Sequence, residues 1–494
     1  MHDRPFWEKK LQEQRFIRHA IIAGQPWVTR SGKTVPVVDP ASNRVLAEVT
    51  ACQSADIDAA VASARDTFQS GVWATPALRK AALFRLSQLI LEHREELALL
   101  ESVSMGKPVN DALTIDIPGA AAVFSWYAES IDKLYDSVAP TAPGSLATIT
   151  RAPVGVVAAV VPWNFPLDIT AWKLGPALAA GNCAILKPSE NSPFTALRLG
   201  ELALEAGIPP GVLNVVTGLG TEAGAALGLH NDIDVITFTG STAVGKAFMQ
   251  YSAQSNLKQV WLECGGKSAN IIFADCQDLE RAAEKAAFGI CFNQGEVCSA
   301  NSRLLVQREI YPRFMDILIG KLADWMPKHP LDPHARMGAM VSAAHKQKVM
   351  DFITKAQREG ATLLAGGRDT LIEGVANYVQ PTVLGNVSES MSIWKDDVFG
   401  PVLAVRAFDS EDEAIALVNN HIYALAVSVW TDSLRRAHRV AGRLCAGTVS
   451  VNTVDALDVT VPFGGNRQSG FGRDLSLHAF DKFTTLKTTW FQLS

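Results

Sequence analysis

Several features that mark other classes of protein are missing from this sequence of 494 residues. There is no dense block of lysine or arginine, and the formal net charge is -5, so neither a nucleic acid nor an anionic membrane is expected as a partner. The longest apolar stretches, such as Val154–Val161, are far shorter than the roughly 20 residues that cross a bilayer. The sequence therefore predicts no nucleic-acid partner and no membrane partner.

Cysteine is sparse and follows no recognisable spacing. The seven cysteines are odd in number and form neither a CxxC pair nor the Cys/His pattern of a metal site, which suits a reducing compartment. The first 20 residues are rich in charge and lack the apolar segment of a secretory signal. These observations predict a cytoplasmic location and no bound metal.

The composition that remains is typical of a large globular protein. Hydrophobic residues make up 48% and charged residues 19%, which excludes disordered, collagen-like and coiled-coil chains. The length is too great for one small core and indicates about three structural units. A chain of this size buries enough surface to fold without disulfides or metals.

The pattern of apolar residues predicts an α/β protein. Leucines at helical spacing predict one helix over 76–104, and a second is expected over 117–135. The valine-rich run 154–161 is typical of a strand buried on both faces. Strands and helices alternate after it, which implies βαβ units and a parallel sheet, and a tail over 482–493 is expected to be an edge strand used in assembly. The other main predicted strands are 184–187, 212–216, 235–239, 260–263, 270–274, 304–306, 403–408 and 425–430.

A candidate nucleotide site lies in Phe238–Lys246, where a strand, a turn at Gly240 and Ser241, and the start of a helix follow one another. The free N–H groups and the positive dipole end of a helix N-terminus suit a phosphate group. The spacing is not the GxGxxG of dinucleotide-binding proteins, and ordinary turn chemistry is the alternative explanation of these residues.

Three further residues have side chains suited to catalysis, and each has a structural alternative. Cys298 follows a glycine turn in a polar segment, although most lone cysteines are buried and inert. Glu263 ends an apolar strand, where burial would raise its pKa toward that of a general base; an ion pair with Lys267 is the alternative. Asn164 lies just past strand 154–161, at a sheet edge where α/β proteins bind ligands, unless it only bonds its own backbone in a turn.

These segments are part of a set of seven motifs, and with them the chain resembles the aldehyde dehydrogenase superfamily. The resemblance covers nearly everything from about residue 30 to the end, and the motifs stand in family order. They are PWNFP at Pro162–Pro166, KPSE at Lys187–Glu190, FTGSTAVGK at Phe238–Lys246, LECGGKS at Leu262–Ser268, FNQGEVC at Phe292–Cys298, FGPV at Phe399–Val402 and PFGG at Pro462–Gly465. Any one motif alone could mislead, but seven in order leave coincidence negligible.

The resemblance implies the aldehyde dehydrogenase fold, of class α/β. A Rossmann-like NAD-binding domain would span 1–137 and 157–266, and an α/β catalytic domain would span 267–478. A small β oligomerisation flap would consist of 138–156 and 479–494. A homodimer or a dimer of dimers is implied, in which the tail strand completes a neighbour's sheet.

The resemblance also implies a mechanism in which Cys298 attacks the aldehyde carbon. The Asn164 side chain and the Cys298 backbone N–H would hold the resulting oxyanion. Hydride transfer to a nicotinamide would leave a thioester, and Glu263 would activate the water that hydrolyses it to a carboxylic acid. An ordinary thiol is mostly protonated near neutrality, so Glu263, a water or the nicotinamide cation is needed to activate Cys298.

The implied cofactor is NAD+, with NADP+ also possible. A carboxylate at Glu190 would accept from the 2'-hydroxyl of the adenine ribose and repel a 2'-phosphate, which predicts a preference for NAD+. Asp397 departs from the family pattern, because it is one methylene shorter than the glutamate that usually binds the nicotinamide ribose. The cofactor-binding residues carried over are Trp163, Lys187, Glu190, Gly240, Ser241, Asp397 and Phe399.

Subgroup motifs are similar to those of bacterial gamma-glutamyl-gamma-aminobutyraldehyde dehydrogenases, which serve polyamine catabolism. The expected substrate is therefore an amino- or gamma-glutamyl-aminoaldehyde. Asp168 stands where relatives usually have leucine in the aldehyde tunnel. Its carboxylate could attract a cationic substrate, and the charge of Asp455 would strengthen that attraction. The alternative is that Asp168 merely caps a helix. The expected tunnel residues are Asp116, Gly119, Asp168, Trp172, Asp458 and Phe463.

Three other functions stay open on the sequence alone. One is a broad-specificity aliphatic or aromatic aldehyde dehydrogenase, because aromatic tunnel walls suit many aldehydes. Another is a non-catalytic NAD-binding member of the fold, which the presence of Asn164, Glu263 and Cys298 disfavours. A third is a relative that passes the thioester to CoA, which a hydrolytic base at Glu263 disfavours.

Overall fold

Two large sheets organise the chain in the structure, a computed structural model that describes residues 2–493. The larger sheet has eight strands, of which the five central ones are parallel. In sheet order the strands are Gln25–Trp27, Ala20–Ile22, Leu213–Val215, Cys183–Lys187, Val156–Val160, Val235–Gly240, Gln259–Cys264 and Gly470–Phe471. The predicted α/β architecture is confirmed.

The strand order reverses between Val156–Val160 and Val235–Gly240, because successive strands are added on opposite sides of this pair. All residues of Val156–Val160 and of Cys183–Lys187 are buried, as expected for β-branched and apolar residues in a parallel sheet covered on both faces. A crevice forms outside the carboxyl ends of the strands at such a reversal, and ligands of α/β proteins bind there.

The helix predicted over 76–104 is wrong in extent, because two helices, Pro76–Glu92 and Arg94–Met105, occupy this region. His93 interrupts them with a ψ of 18°. The leucine spacing continues across the break, so periodicity alone does not reveal it. The other α-helices before the second sheet are Arg4–Glu13, Ser54–Ser70, Val109–Asp111, Ile117–Ser130, Pro166–Ala179, Phe194–Glu205, Ala225–Leu229 and Thr242–Gln254.

The second large sheet has seven strands and is parallel except at one edge. Its strands, in sheet order, are Thr362–Ala365, Thr382–Gly385, Val402–Phe408, Arg303–Gln307, Ala269–Ile272, Ala426–Trp430 and Thr448–Val451. The α-helices of this half are Leu279–Cys291, Tyr311–Leu322, Ala343–Arg358, Ser392–Lys395, Glu411–Asn419 and Leu434–Ala441. Two-stranded ribbons pair Thr34–Asp39 with Arg44–Thr50, Asp369–Ile372 with Val375–Val379, and Tyr423–Ala424 with Asn466–Arg467.

A small antiparallel sheet joins Ser137–Ala139, Ser145–Pro153 and Thr484–Gln492. The strand predicted for the tail is therefore present. The short strand Gly470–Phe471 pairs with Leu262 and Glu263 at the edge of the larger sheet. Among residues 2–493 no helix is long and apolar enough to span a membrane.

Candidate active site

A cleft of about 420 Å³ opens where the strand order of the larger sheet reverses. Residues that follow two adjacent strands, Val156–Val160 and Val235–Gly240, line it together with residues of the second half of the chain. Seven of the predicted site residues lie on its walls: Trp163, Asn164, Gly240, Ser241, Cys298, Asp397 and Phe399.

One wall of the cleft is the start of the helix Thr242–Gln254. Ser241 is its N-cap residue, and the Ser241 Oγ accepts a hydrogen bond from the Val244 N–H at 3.3 Å. The remaining N–H groups at this helix start, together with its positive dipole end, fit a pyrophosphate. The segment therefore matches a phosphate-binding turn although it lacks the GxGxxG spacing.

Three rings form another wall. Trp163 lies edge-on to His345 and to Phe399, with centroids 5.5 and 5.4 Å away. Burial lowers the pKa of His345 to about 4, so the ring is neutral and its Nε2–H donates to the Phe399 carbonyl at 2.7 Å. His345 and Lys348 both line the cleft and were not among the predicted site residues. Their spacing in Ala343–Arg358 shows that they share one helix face but not that this face meets the cleft.

Asp397 lies in the cleft between two lysines. Its Oδ1 accepts from the Phe399 N–H at 3.2 Å. Burial raises the pKa of Asp397 to about 6, while the charges of Lys267 and Lys348 act in the opposite direction. A carboxylate held this way, beside the ammonium of Lys348, suits the hydroxyl groups of a ribose.

Lys187 and Glu190 are not among the residues that line this cleft: Lys187 is the last residue of the neighbouring strand Cys183–Lys187, and Glu190 follows it. The Lys187 Nζ is 3.8 Å from a carboxylate oxygen of Glu190 and donates to the carbonyl of Pro188 at 3.1 Å. Burial lowers the pKa of Lys187. Both side chains therefore stand at the same sheet edge as the cleft, where a dinucleotide would extend.

Cys298 ends a loop with an unusual backbone. Asn293, Gln294 and Gly295 all have positive φ, at 48°, 58° and 71°, and a Cβ on Gly295 would collide with the backbone of Gly400. The half-buried Cys298 lines the cleft. Burial raises the pKa of its thiol well above the usual value, and the charge of Glu263 adds to this, so the thiol rests protonated until a base or a cation activates it.

Asn164 reaches from the first half of the chain to this loop. Its Nδ2 donates to the carbonyl oxygen of Glu296 at 2.9 Å, and the side chain is buried. Asn164 therefore bonds the loop that carries Cys298 rather than its own turn. Its second Nδ2 hydrogen has no acceptor among residues 2–493, and the side chain borders the cleft.

Glu263 is the penultimate residue of the strand Gln259–Cys264 and is buried. Its Oε1 has no hydrogen-bond partner among the described residues. Burial and the charge of Asp474 raise the pKa of Glu263 while the charges of Lys173 and Lys482 lower it, and the resulting pKa is about 8. An ionisable group titrating near neutrality, close enough to shift the pKa of Cys298, is suited to general-base catalysis.

A buried cluster adjoins Glu263 and was not foreseen from the sequence. Asp474 lies between two lysines, at 2.5 Å from the Lys173 Nζ and in direct contact with the Lys482 Nζ. All three side chains are almost fully buried. The ion pair predicted as the alternative for Glu263, with Lys267, is absent from the described contacts; the Lys267 ammonium interacts instead with Asp397.

The aldehyde side of the site is built on the helix Pro166–Ala179. The ring of Phe165, the N-cap residue, is tilted relative to the ring of Phe292, and their centroids are 6.2 Å apart. The ring centroids of Trp172 and Phe463 are 5.3 Å apart. Asp168 sits between Phe165 and Trp172 on this helix and faces Gly119, where an added Cβ would lie 3.1 Å from its Oδ1. Aromatic side chains and one carboxylate thus lie along this helix.

Asp168 is not a helix cap, so the capping alternative is wrong. Phe165 occupies the N-cap position, and the free N–H of Leu167 donates to the Glu101 carboxylate at 2.6 Å. Burial raises the pKa of Asp168 to about 7, the charge of Asp116 adds to this, and that of Lys107 opposes it.

The other expected tunnel acids are placed differently. Asp116 is buried in an ion pair with Lys107, so its carboxylate is already compensated. Asp458 is exposed and accepts hydrogen bonds from Thr460 in its own loop, which corrects its predicted place in the tunnel wall. Asp455, in contrast, is near enough to Cys298 to raise the pKa of the thiol.

Comparisons with known proteins agree with this geometry. Residues 27–489 match the sequence profile described as "Aldehyde dehydrogenase family". The chain is 50% identical, over all of its length and 99% of the relative's, to the NADP/NAD-dependent aldehyde dehydrogenase PuuC of Escherichia coli. It superimposes with a TM-score of 0.99 on an indole-3-acetaldehyde dehydrogenase in complex with NAD+, which is 51% identical in sequence. It superimposes with a TM-score of 0.98 on the gamma-glutamyl-gamma-aminobutyraldehyde dehydrogenase of Burkholderia cenocepacia, which is 50% identical. Each alignment covers the whole of both chains.

Proposed function

We propose that the substrate of this protein is an aldehyde carrying an amino group. The chain belongs to the aldehyde dehydrogenase family and is an NAD(P)-dependent oxidoreductase acting on aldehydes. The observation that carries this proposal is Asp168. Its carboxylate faces Gly119, lies on the same helix as Trp172 and is not used as a helix cap. The neighbouring Asp116 is already paired with Lys107, so Asp168 is the carboxylate left to attract a cation. An amino- or gamma-glutamyl-aminoaldehyde would meet this carboxylate with its ammonium group.

In the proposed reaction the Cys298 thiol loses its proton to Glu263 or to a water, and the sulfur then bonds to the aldehyde carbon. The second Nδ2 hydrogen of Asn164 and the Cys298 N–H hold the oxyanion that forms, each donor contributing about 3 kcal/mol to the transition state. A bound NAD+ supplies the acceptor for the hydride. Glu263, in its ionised form, then removes a proton from the water that hydrolyses the thioester on Cys298 to a carboxylic acid.

The residues of the chain fit NAD+ in three places. The helix start at Ser241 suits the pyrophosphate, and Asp397 with Lys348 suits the nicotinamide ribose. Lys187 and Glu190 suit the adenine ribose. Since Glu190 would repel a 2'-phosphate, NAD+ is the proposed preference, while the dual cofactor in the name of the Escherichia coli relative keeps NADP+ as a weaker alternative.

The substrate proposal is tested by comparing the variants Asp168→Leu and Asp168→Asn with an aminoaldehyde and an uncharged aldehyde of the same length. Loss of a charged hydrogen bond should lower kcat/KM about 10-fold or more for the aminoaldehyde and change it little for the neutral one. Because Asp168 ionises near pH 7, KM for the aminoaldehyde should also fall as the pH rises through about 7. Asp458→Asn, at an exposed carboxylate, is the matched control.

An equal effect of Asp168→Leu on both aldehydes would support the second candidate, a broad-specificity enzyme. The aromatic pair Trp172 and Phe463 favours that candidate, since such walls accept many aldehydes. Measuring NADH absorbance with and without CoA distinguishes these two candidates from a CoA-acylating enzyme and from a non-catalytic NAD-binding protein. A CoA requirement would indicate acyl transfer to CoA, and no NADH with any aldehyde would indicate a non-catalytic member.

The assembly is a further part of the proposal. The tail strand Thr484–Gln492 lies at one edge of the small sheet, and its Trp490 side chain is 60% exposed. Covering this apolar surface with a second copy would give a homodimer or a dimer of dimers in the cytoplasm. Trp490→Glu should lower the mass measured by light scattering; an unchanged mass would remove this interface from the proposal.

A further inference from the structure

One buried side chain ties the two halves of the reaction centre together. The Asn293 Nδ2 donates to the backbone carbonyl of Asn164 at 3.0 Å and to that of Glu296 at 3.2 Å. The Glu296 carbonyl also accepts the Asn164 Nδ2. Both the backbone and the side chain of Asn164 are therefore fixed relative to the loop that ends in Cys298.

The backbone at Asn293 and Gln294 is unusual, which argues against an incidental contact. Their φ values are 48° and 58°, in the left-handed region that asparagine tolerates and that glutamine rarely adopts. The Asn293 Oδ1 is buried without a hydrogen-bond partner anywhere in the described part of the chain. Strained backbone and unpaired polar atoms of this kind concentrate at functional sites.

We propose that Asn293 is a positioning residue for the oxyanion site, acting through Asn164. The inference rests on the proposed acyl chemistry of Cys298. The Glu296 carbonyl takes one Nδ2 hydrogen of Asn164, and this hydrogen bond aims the other hydrogen at the oxygen of the bound carbonyl compound. Without the Asn293 bridge the Asn164 carboxamide loses its fixed distance to Cys298.

An ester reaction that needs no cofactor reports on this step. With 4-nitrophenyl acetate, the Cys298 sulfur bonds to the acetyl carbon, the bond to the aryl oxygen breaks, and 4-nitrophenolate leaves while the thiol proton passes to solvent. Water then hydrolyses the acetyl thioester to acetate. The burst of 4-nitrophenolate measures the first step, whose oxyanion needs the same donors.

We expect Asn293→Gly to slow this burst about 10- to 100-fold, since mispositioned donors lose most of their effect. Glycine accepts a positive φ, so this variant should fold. In an Asn164→Ala background the same substitution should change the burst less than about 3-fold, because residues acting through one another are not additive.

Asn377 is the matched control. It is as buried as Asn293, at 1% exposure, its Nδ2 also bridges two carbonyls, of Pro40 and Met340, and its Oδ1 is likewise without a partner among residues 2–493. Asn377→Ala should lower the melting temperature and leave the burst rate unchanged. Asn293→Gly should instead change the burst rate out of proportion to any change in melting temperature.

Two outcomes overturn the inference. If Asn293→Gly slows the burst equally with and without Asn164, or no more than Asn377→Ala does, Asn293 has no positioning role while the proposed function stands. If Asn164→Ala itself leaves the burst unchanged, the oxyanion assignment fails, and the positioning role fails with it. The first outcome leaves aldehyde oxidation through Asn164 intact, so the two failures are distinguishable.

Discussion

Gly265 packs directly beneath Asp397, so that a Cβ at residue 265 would lie 2.5 Å from the Asp397 Oδ2. A real Cβ does not approach an oxygen this closely. The absence of a side chain at position 265 therefore makes room for the carboxylate that lines the cofactor cleft.

Gly265→Ala should therefore weaken NAD+ binding by displacing the Asp397 carboxylate. We expect the Kd for NAD+, measured by fluorescence titration, to rise about 10-fold, because one good polar contact is lost. Gly320→Ala, where the new methyl meets open space, is the control. In an Asp397→Ala background, Gly265→Ala should leave the Kd for NAD+ almost unchanged. A further rise of the Kd by about 10-fold in that background would show that Gly265 acts by another route.

Hydrolysis of the thioester should speed up as the pH rises through about 8, because the Glu263 carboxylate forms in that range. Lys482 lowers the pKa of Glu263, so Lys482→Met should move the midpoint of the steady-state kcat profile for 4-nitrophenyl acetate to higher pH. Lys258→Met, at another buried lysine with a pKa of about 8, should leave the midpoint in place. Equal midpoints in all three proteins would contradict the assignment of Glu263 as the titrating base.

Alkylation by iodoacetamide tests what activates Cys298. The raised pKa of the thiol predicts that, in the absence of cofactor, alkylation near neutrality is slower than that of a free cysteine and accelerates as the pH rises. Since the ionised Glu263 raises this pKa, Glu263→Gln should accelerate alkylation at pH values where Glu263 is charged. A slower reaction in Glu263→Gln would instead identify Glu263 as the base that deprotonates the thiol.

Cofactor choice should depend on Glu190. Removing its charge with Glu190→Gln should raise the ratio of kcat/KM for NADP+ to that for NAD+ about 10-fold, because the repulsion of a 2'-phosphate is lost. Glu201→Gln, on the helix Phe194–Glu205, is a surface control. A kinetic preference for NADP+ in the unaltered enzyme would overturn the proposed role of Glu190.

The sequence was informative where local chemistry determines structure. The buried valines of Val156–Val160 and the turn at Ser241 could be predicted from residue type and order alone. The identities of Cys298, Glu263 and Asn164 came from motifs that stand in family order. The site residues that line one cleft were thus foreseen as a set, although their distances were not.

Other features depend on contacts between distant parts of the chain and were beyond the reach of sequence patterns. His345 and Lys348 stand outside every recognised motif, and only the packing of their helix brings them to the cleft. Asp474 and Lys482 approach Glu263 from more than 200 residues away in the chain. The two-residue strand Gly470–Phe471 is too short to show any periodicity.

That short strand governs when the active site can be completed during synthesis. The strand carrying Glu263 has an unpaired edge until Gly470 pairs with it, and Lys482 must follow to complete the surroundings of Glu263. A nascent chain therefore lacks part of the surroundings of Glu263 until Lys482 has emerged from the ribosome. Truncation before Lys482 should slow the hydrolysis step proposed for Glu263 even when Cys298 and Asn164 are already in place.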